Sequence, residues 1–399
     1  MAVHRANQSF DSDQKRSASN RQLPSLTSLR GLAALWVVLY HYCVQCFPNL
    51  DAAQYTSFIG KGYLAVDMFF MLSGFVMTHV YQRAFYDPNG IKLHYRSFLI
   101  ARFARLYPLH IFVLFLFVVT VLVSQLVTFP VTGSFQGIPL EGPDSVTAFV
   151  ANIFMLQGLA AGKLSWNYPA WSISVEFMAY LAFPFALPII WRASNMGKII
   201  LAFFALAALA WLAFLKSSNF DQWDGPITLL RCLPEFLLGS LLYFGFRTSP
   251  RNCWLNQDAL AFGIVVATVL CLHLDAPDLL IVALFAVLIP IAVVNTGVFA
   301  KFANVGPLIW LGEVSYSLYL VHGLVQFVSQ KLMDALGIQT ASSLSIGSSL
   351  ALMLVMVGVC FLASTATYSG VEIAWRRCLR ERLGSHQNRP AGILNSQRG

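Results

Sequence analysis

The sequence predicts an all-α integral membrane protein of about ten transmembrane helices with both termini in the cytoplasm. Three observations carry that expectation. The first is composition: of 399 residues, 57% are hydrophobic and only 11% charged, with a mean hydropathy of +0.65, whereas a soluble domain carries about 25% charged residues. The second is that apolar stretches long enough to span a bilayer recur along the whole chain. The third is that lysines and arginines crowd into alternate loops. The net charge of +8 would suggest nucleic acid in a soluble chain. Here it sits mostly in short loops and tails, where membrane topology explains it, and no nucleic-acid partner is expected.

Taken in order, residues 1–25 are polar and poor in apolar side chains, so they are expected to form a disordered cytoplasmic segment. No short apolar region with a small-residue cleavage site follows, so the first helix is expected to be retained. The membrane domain is assigned to 26–375 and a basic, polar cytoplasmic tail to 376–399. After the first helix, spans are expected near 60–81, 105–127, 170–191, 198–215, 226–246, 257–273, 278–298, 307–330 and 345–370. Residues 146–160 are apolar but short for a span, and are placed as an interfacial or re-entrant piece within the longest connection, 128–168. With the N-terminus inside, every lysine and arginine except Lys61, Lys163, Lys216, Arg231 and Lys331 falls on the inner side. Seven scattered cysteines, an odd number, suggest no disulfide framework. The lone Cys43-x-x-Cys46 reads as small buried residues, and no metal site is expected.

The chemistry gathers first in Ser28-Leu-Arg-Gly-Leu-Ala-Ala-Leu-Trp-Val-Val-Leu-Tyr-His-Tyr42. Arg30 and His41 are 11 residues apart, close to three whole helical turns, so both leave the same helix face about 16 Å apart along the axis. An ionisable group inside a span is costly unless it is paired or faces a cavity. The two readings are a reactive imidazole with a charged anchor, or a structurally satisfied histidine with a topological arginine.

Further polar residues recur at helical spacing. The second helix carries Asp67 and the small pair Ser73-Gly74. Arg102 and Arg105 lead into the third, three apart on one face. Paired guanidiniums there suit a phosphate-bearing ligand, or equally lipid headgroups and membrane topology, and for the motif alone the latter is the preferred reading. In the fourth, Ser172, Glu176, Tyr180 and Pro184 follow i, i+4 steps after Trp171. Arg231 and Glu235 are spaced for an i, i+4 ion pair in the sixth, either functional or purely structural, and Tyr316, Tyr319 and His322 lie three apart in the ninth. Measured from flanking loops by helix rise, His41, Asp67, Glu176, Arg231 and His322 are expected in one layer about 7–12 Å below the outer surface. Arg30, Arg102 and Arg105 are expected to ring the inner face.

These blocks resemble the acyltransferase 3 family of membrane-bound acyltransferases. The marks are Ser28-Leu-Arg30-Gly31 with His41, Val66-Asp67-x-Phe69-Phe70-x-Leu72-Ser73-Gly74-Phe75, and Arg102-x-x-Arg105. Trp171-Ser-Ile-x-x-Glu176 and Ser315-Tyr-Ser-Leu-Tyr319-Leu-x-His322 complete them. The resemblance covers about 25–375. It implies O-acylation, usually acetylation, of a glycan or other extracytoplasmic acceptor, with acyl-CoA supplied from the cytoplasm and no permanently bound cofactor. The fused extracytoplasmic hydrolase-like domain of some members is not expected here. On this reading the protein lies in the cell membrane. His41, Asp67 and Glu176 are the candidate catalytic residues, with Asp67 or Glu176 orienting the imidazole. Arg30, Arg102 and Arg105 are assigned to acyl-CoA, and Trp171, Arg231, Tyr316, Tyr319 and His322 to the acceptor. Trp166, Tyr168 and Trp171 stack on a sugar or form an interfacial belt. His41 acts as general base or becomes acylated itself. The rival readings are a secondary transporter using a His/Asp/Glu relay, though no inverted repeat is visible, and a catalytically idle membrane scaffold.

Overall fold

The computed structural model describes residues 23–86, 95–133, 137–160, 165–215, 220–222, 225–248, 254–338 and 344–378. The expected N-terminal segment and basic tail therefore lie largely outside the described residues. Those described are almost wholly helical, with no strand among them. The α-helices are α1 (Pro24–His41), α2 (Ala65–Tyr86), α3 (Tyr95–Thr132), α4 (Val146–Ile153), α5 (Gln157–Ala160), α6 (Trp171–Arg192) and α7 (Asn195–Leu215). They continue as α8 (Leu229–Thr248), α9 (Asp258–His273), α10 (Asp278–Val294), α11 (Val298–Ala303), α12 (Gly306–Ala335) and α13 (Ile346–Thr367).

Among the described residues, seven helical segments are long and apolar enough to cross a membrane, and the first helix with its 97° bend after Cys46 makes eight. Two expected spans are short for a crossing, and α10 ends at Val294 rather than near 298. The α9 helix has 16 residues and α10 has 17, which is about 24–26 Å of helix against a hydrocarbon core of about 30 Å. Their hairpin turns where expected, between His273 and Asp278, with Asp275 at a left-handed φ of 56° and Pro277 capping α10. Asp278 is drawn into the protein by Lys61 Nζ at 2.9 Å and the Tyr63 hydroxyl at 3.0 Å.

Two helix pairs form the centre. The α1 helix starts at Pro24, where a missing N–H costs nothing, and packs along α12. Gly31 and Gly312 meet there: a Cβ on Gly312 would strike the Thr27 backbone. The α2 helix lies equally close to α8, with Gly74 against the Phe236 carbonyl and Gly239 against the Met71 carbonyl. Small residues permit such backbone approach between membrane helices, where dispersion contacts replace the hydrophobic effect as the driving force. Prolines inside α3, α6, α8 and α10 are tolerated because neighbouring helices satisfy the freed backbone groups.

The long connection folds back into the bundle. Ser145 caps α4 by accepting from Ala148 N at 3.1 Å. Gln157 Nε2 donates to Ala170 O at 2.8 Å, and Pro169, Ala170 and Trp166 are buried. Tyr319 donates from its hydroxyl to Pro169 O at 3.0 Å, so α6 begins inside the protein rather than at its rim.

Candidate active site

The three arginines of the sequence pattern share one cavity. About 450 Å³ in volume, it lies between α1, α2, α3, α6 and α12 and is lined by Arg30, Arg102, Arg105, Ser73, Glu176 and Tyr316, among others. Each guanidinium is held by the scaffold. Arg30 donates from Nη2 to Gly312 O at 2.7 Å and from Nε to Ser315 Oγ at 2.9 Å. Arg102 donates to the Tyr81 hydroxyl at 2.8 Å and lies over that ring, 5.2 Å from its centroid. Arg105 Nη1 faces Glu372 Oε1 at 3.6 Å. Neutral groups therefore orient Arg30 and Arg102, and their positive charge remains available to an anion.

Glu176 lies in this cavity, not beside His41 as expected. It accepts from Ser73 and from the Tyr180 hydroxyl at 2.5 Å. The expected depth used Pro169 as the surface mark. Because Pro169 is buried against Tyr319, every residue of α6 sits deeper than helix rise from a surface loop suggests. Tyr316 also lines the cavity, donating to Leu106 O at 2.6 Å, so it stands among the arginines and not at an outer acceptor site.

His41 ends α1, and the chain continues as a π-helical turn over Tyr42–Cys46, a distortion that recurs at functional sites. Its ring stacks on His322 of α12 with centroids 5.2 Å apart and planes 24° apart. Tyr168 closes the edge of both rings, 4.7 Å from His41 and 5.9 Å from His322. The Tyr168 hydroxyl donates to Gln326 Oε1 at 2.6 Å, and Gln326 in turn donates to Gln45 at 3.1 Å. Nδ1 of His41 and both ring nitrogens of His322 are buried without a well-aligned hydrogen-bond partner. His322 is fully buried, whereas His41 is half-buried and Gln45, one turn on, is exposed. The pair therefore offers lone-pair nitrogens at the edge of a neutral polar nest.

Tyr319 joins the two places. Its ring lines the arginine cavity and lies 5.7 Å from the His322 ring. The hydroxyl meets Ser172 Oγ at 2.8 Å, and Ser172 also lines the cavity. Tyr319 is thus the partition between the arginines and the histidines.

Asp67 and Arg231 are engaged elsewhere. Asp67 accepts from Arg231 Nη2 at 2.6 Å and Nε at 2.9 Å, a bidentate pair with both side chains buried. Arg231 also donates to Phe220 O and Tyr63 O, each within 3.1 Å, and lies 5.5 Å from the Trp171 ring. Asp67 is therefore not placed to orient His41. Arg231 is interior rather than on an acceptor surface, Trp171 is half-buried against it, and Trp166 is buried with its indole N–H on Ser145 O at 3.0 Å. The expected Arg231–Glu235 ion pair gives way because Asp67 on α2 presents both oxygens to the guanidinium fork. The expected single polar layer is resolved into the histidine pair, the Asp67–Arg231 pair and the arginine cavity with Glu176.

Sequence reasoning passed over Glu372 and Gln326, and it placed Tyr168 on a sugar platform or in an interfacial belt, whereas its ring packs against both histidines. Glu372 carried a signal, as a carboxylate directly after a long apolar run. Gln326 carried none.

A cavity lined by three arginines at one end of a helix and a stacked histidine pair three turns along are the two polar centres of a multi-pass membrane protein. The acyltransferase domain matches residues 23–365, and the chain belongs to that acyltransferase family. It is 28% identical over 392 residues to the acyltransferase MdmB of Streptomyces mycarofaciens, covering 90% of this chain and 93% of that protein. It is 27% identical over 333 residues to the O-acetyltransferase OatA of Staphylococcus aureus, covering 76% of this chain and 50% of OatA. A shorter match, 43% over 89 residues and 22% of this chain, is to protein 2 in the picA locus of Rhizobium radiobacter. No solved structure matches the chain.

Proposed function

We propose that this acyltransferase moves a short acyl group, acetyl foremost, from cytoplasmic acyl-CoA to a hydroxyl of a glycan or similar acceptor on the opposite face of the cell membrane. The observation that carries the reading is the convergence of Arg30, Arg102 and Arg105 on one cavity, with His41 on the same helix as Arg30 and beyond Tyr319. The likeness to an O-acetyltransferase supports a hydroxyl acceptor. In this reading α9 and α10 complete ten crossings, and both termini face the cytoplasm, the side that supplies acyl-CoA.

The arginines hold the coenzyme's phosphates, and the thin pantetheine arm passes Tyr319 toward the histidines. His41, the half-buried member of the pair, takes the proton of the acceptor hydroxyl as the oxygen attacks the thioester carbonyl. The new C–O bond forms, the C–S bond breaks, and the thiolate takes up the proton on leaving. Burial and neutral partners around the rings exclude water that would otherwise hydrolyse the thioester.

Purified protein in sealed vesicles, given radiolabelled acetyl-CoA on one side and candidate glycans on the other, tests this directly. Ester-linked label on the far glycan without an ion gradient is the expected result. Gradient-driven flux with no ester formed would instead identify a transporter.

A further inference from the structure

The α13 helix does not stop at Thr367 but continues as a π-helical stretch over Tyr368–Ile373. Wider turns of this kind re-aim side chains within a helix. Here Glu372 becomes the buried residue of the stretch, 3% exposed. One oxygen accepts from Ser317 Oγ on α12 at 3.1 Å. The other faces Arg105 of α3 at 3.6 Å and is also held by Arg376, four residues on. A single carboxylate therefore ties three helices together directly beside the arginine cavity.

The charge balance is uneven. Arg30, Arg102 and Arg105 line the cavity, and Arg376 lies within electrostatic reach of all three. Glu372 is the acidic group common to Arg105 and Arg376. Glu372 between two guanidiniums fixes their positions, and with Glu176 and Glu313 also lining the cavity the four arginines still exceed the carboxylates by one. This is the arrangement expected around a ligand bearing several phosphates. A simple i, i+4 surface pair would not bury its carboxylate against Ser317 on another helix. Both residues lie beyond the matched domain, which ends at 365, and Arg376 otherwise looks like one more inner-face charge.

We propose that Arg376 is a fourth donor-binding arginine and that Glu372 is a positioning residue presenting Arg105 and Arg376 to the phosphates of acyl-CoA. This rests on the acyl-CoA reading above. Arg376→Ala removes one guanidinium, whereas Glu372→Gln keeps the side-chain shape but loses the charge that holds two of them.

The test compares acetyl-CoA with S-acetylpantetheine, which carries the same thioester arm without phosphates, on the full-length protein and on Arg376→Ala, Arg376→Lys and Glu372→Gln. The parent should favour acetyl-CoA. In Arg376→Ala and Glu372→Gln that preference should shrink about tenfold, through KM more than kcat, as loss of one charge-assisted contact implies. Arg376→Lys should recover part of it, since an ammonium supplies charge without the planar fork. Should Glu372→Gln fail to fold, Arg376→Ala carries the result, its side chain being partly exposed at the end of the helix. If the variants lose both donors equally, or keep the parent's preference, Glu372 and Arg376 are structural and the inference falls. If the parent itself shows no preference for acetyl-CoA, the donor reading falls instead.

Discussion

His41 and His322 stack face to face, 5.2 Å between ring centroids, although they come from the first helix and from α12 near the far end of the chain. The contact exists because α1 and α12 approach at Gly31 and Gly312, where neither backbone is kept away by a side chain. Small residues near one end of the helix pair thus set the distance between imidazoles near the other. No carboxylate hydrogen-bonds either ring among the described residues, so a proton accepted by His41 stays within a nest of neutral groups.

His41→Ala should abolish transfer while membrane abundance stays near the parent level. His322→Phe preserves the stacked ring but removes its nitrogens, and turnover should fall by about two to four powers of ten if the second imidazole shares the proton. Turnover at saturating donor, set beside acyl-CoA binding by calorimetry, checks both. A parental rate in His41→Ala would make it a structural histidine.

Arg30→Ala should weaken acyl-CoA binding about ten- to a hundredfold, the worth of a charge-assisted hydrogen bond of about 1.5–3 kcal/mol. Arg102→Ala should behave alike, and lysine at either position should restore only part. Calorimetric affinity for acyl-CoA is the measurement. Unchanged binding would leave these arginines a topological role and put the donor elsewhere.

Asp67→Asn should act on folding. Removing one partner of a buried ion pair costs about 3–5 kcal/mol because the other charge is left uncompensated. The expected outcome is low folded yield and a lower unfolding temperature in detergent, with acyl-CoA affinity retained by the folded fraction. The apolar double substitution Asp67→Leu with Arg231→Met should recover part of the stability that Arg231→Met alone loses. A folded Asp67→Asn protein with normal stability but no turnover would return Asp67 to the chemistry.

Gly74→Ala and Gly239→Ala should each loosen the α2–α8 pair, since the added methyl meets a backbone carbonyl of the facing helix. A side chain can rotate away from an intruding group, but a carbonyl inside a helix cannot. The cost of such overpacking is typically about 1–3 kcal/mol, visible as a lowered unfolding temperature. Gly245→Ala, where the new methyl meets nothing within 4 Å, is the control and should hold or slightly raise stability, since alanine is the better helix former.

The sequence by itself determined the class of the protein, the positions of most of its helices and the spacing of Arg30 and His41. Those properties are local: hydropathy selects the helices, and 3.6 residues per turn places Arg30 and His41 on one face. Composition and motif order were likewise enough to reveal the acyltransferase family. Which charge meets which was decided only by the tertiary structure. Arg231 chose Asp67 on α2 over Glu235 on its own helix, and Glu176 joined the arginine cavity because the buried Pro169 starts α6 inside the bundle. Glu372 reached Arg105 because a π-helical stretch turned it inward. An ion pair is fixed by the distance between helices, and that distance depends on glycines, bends and inward-folding loops whose partners lie far away in the chain.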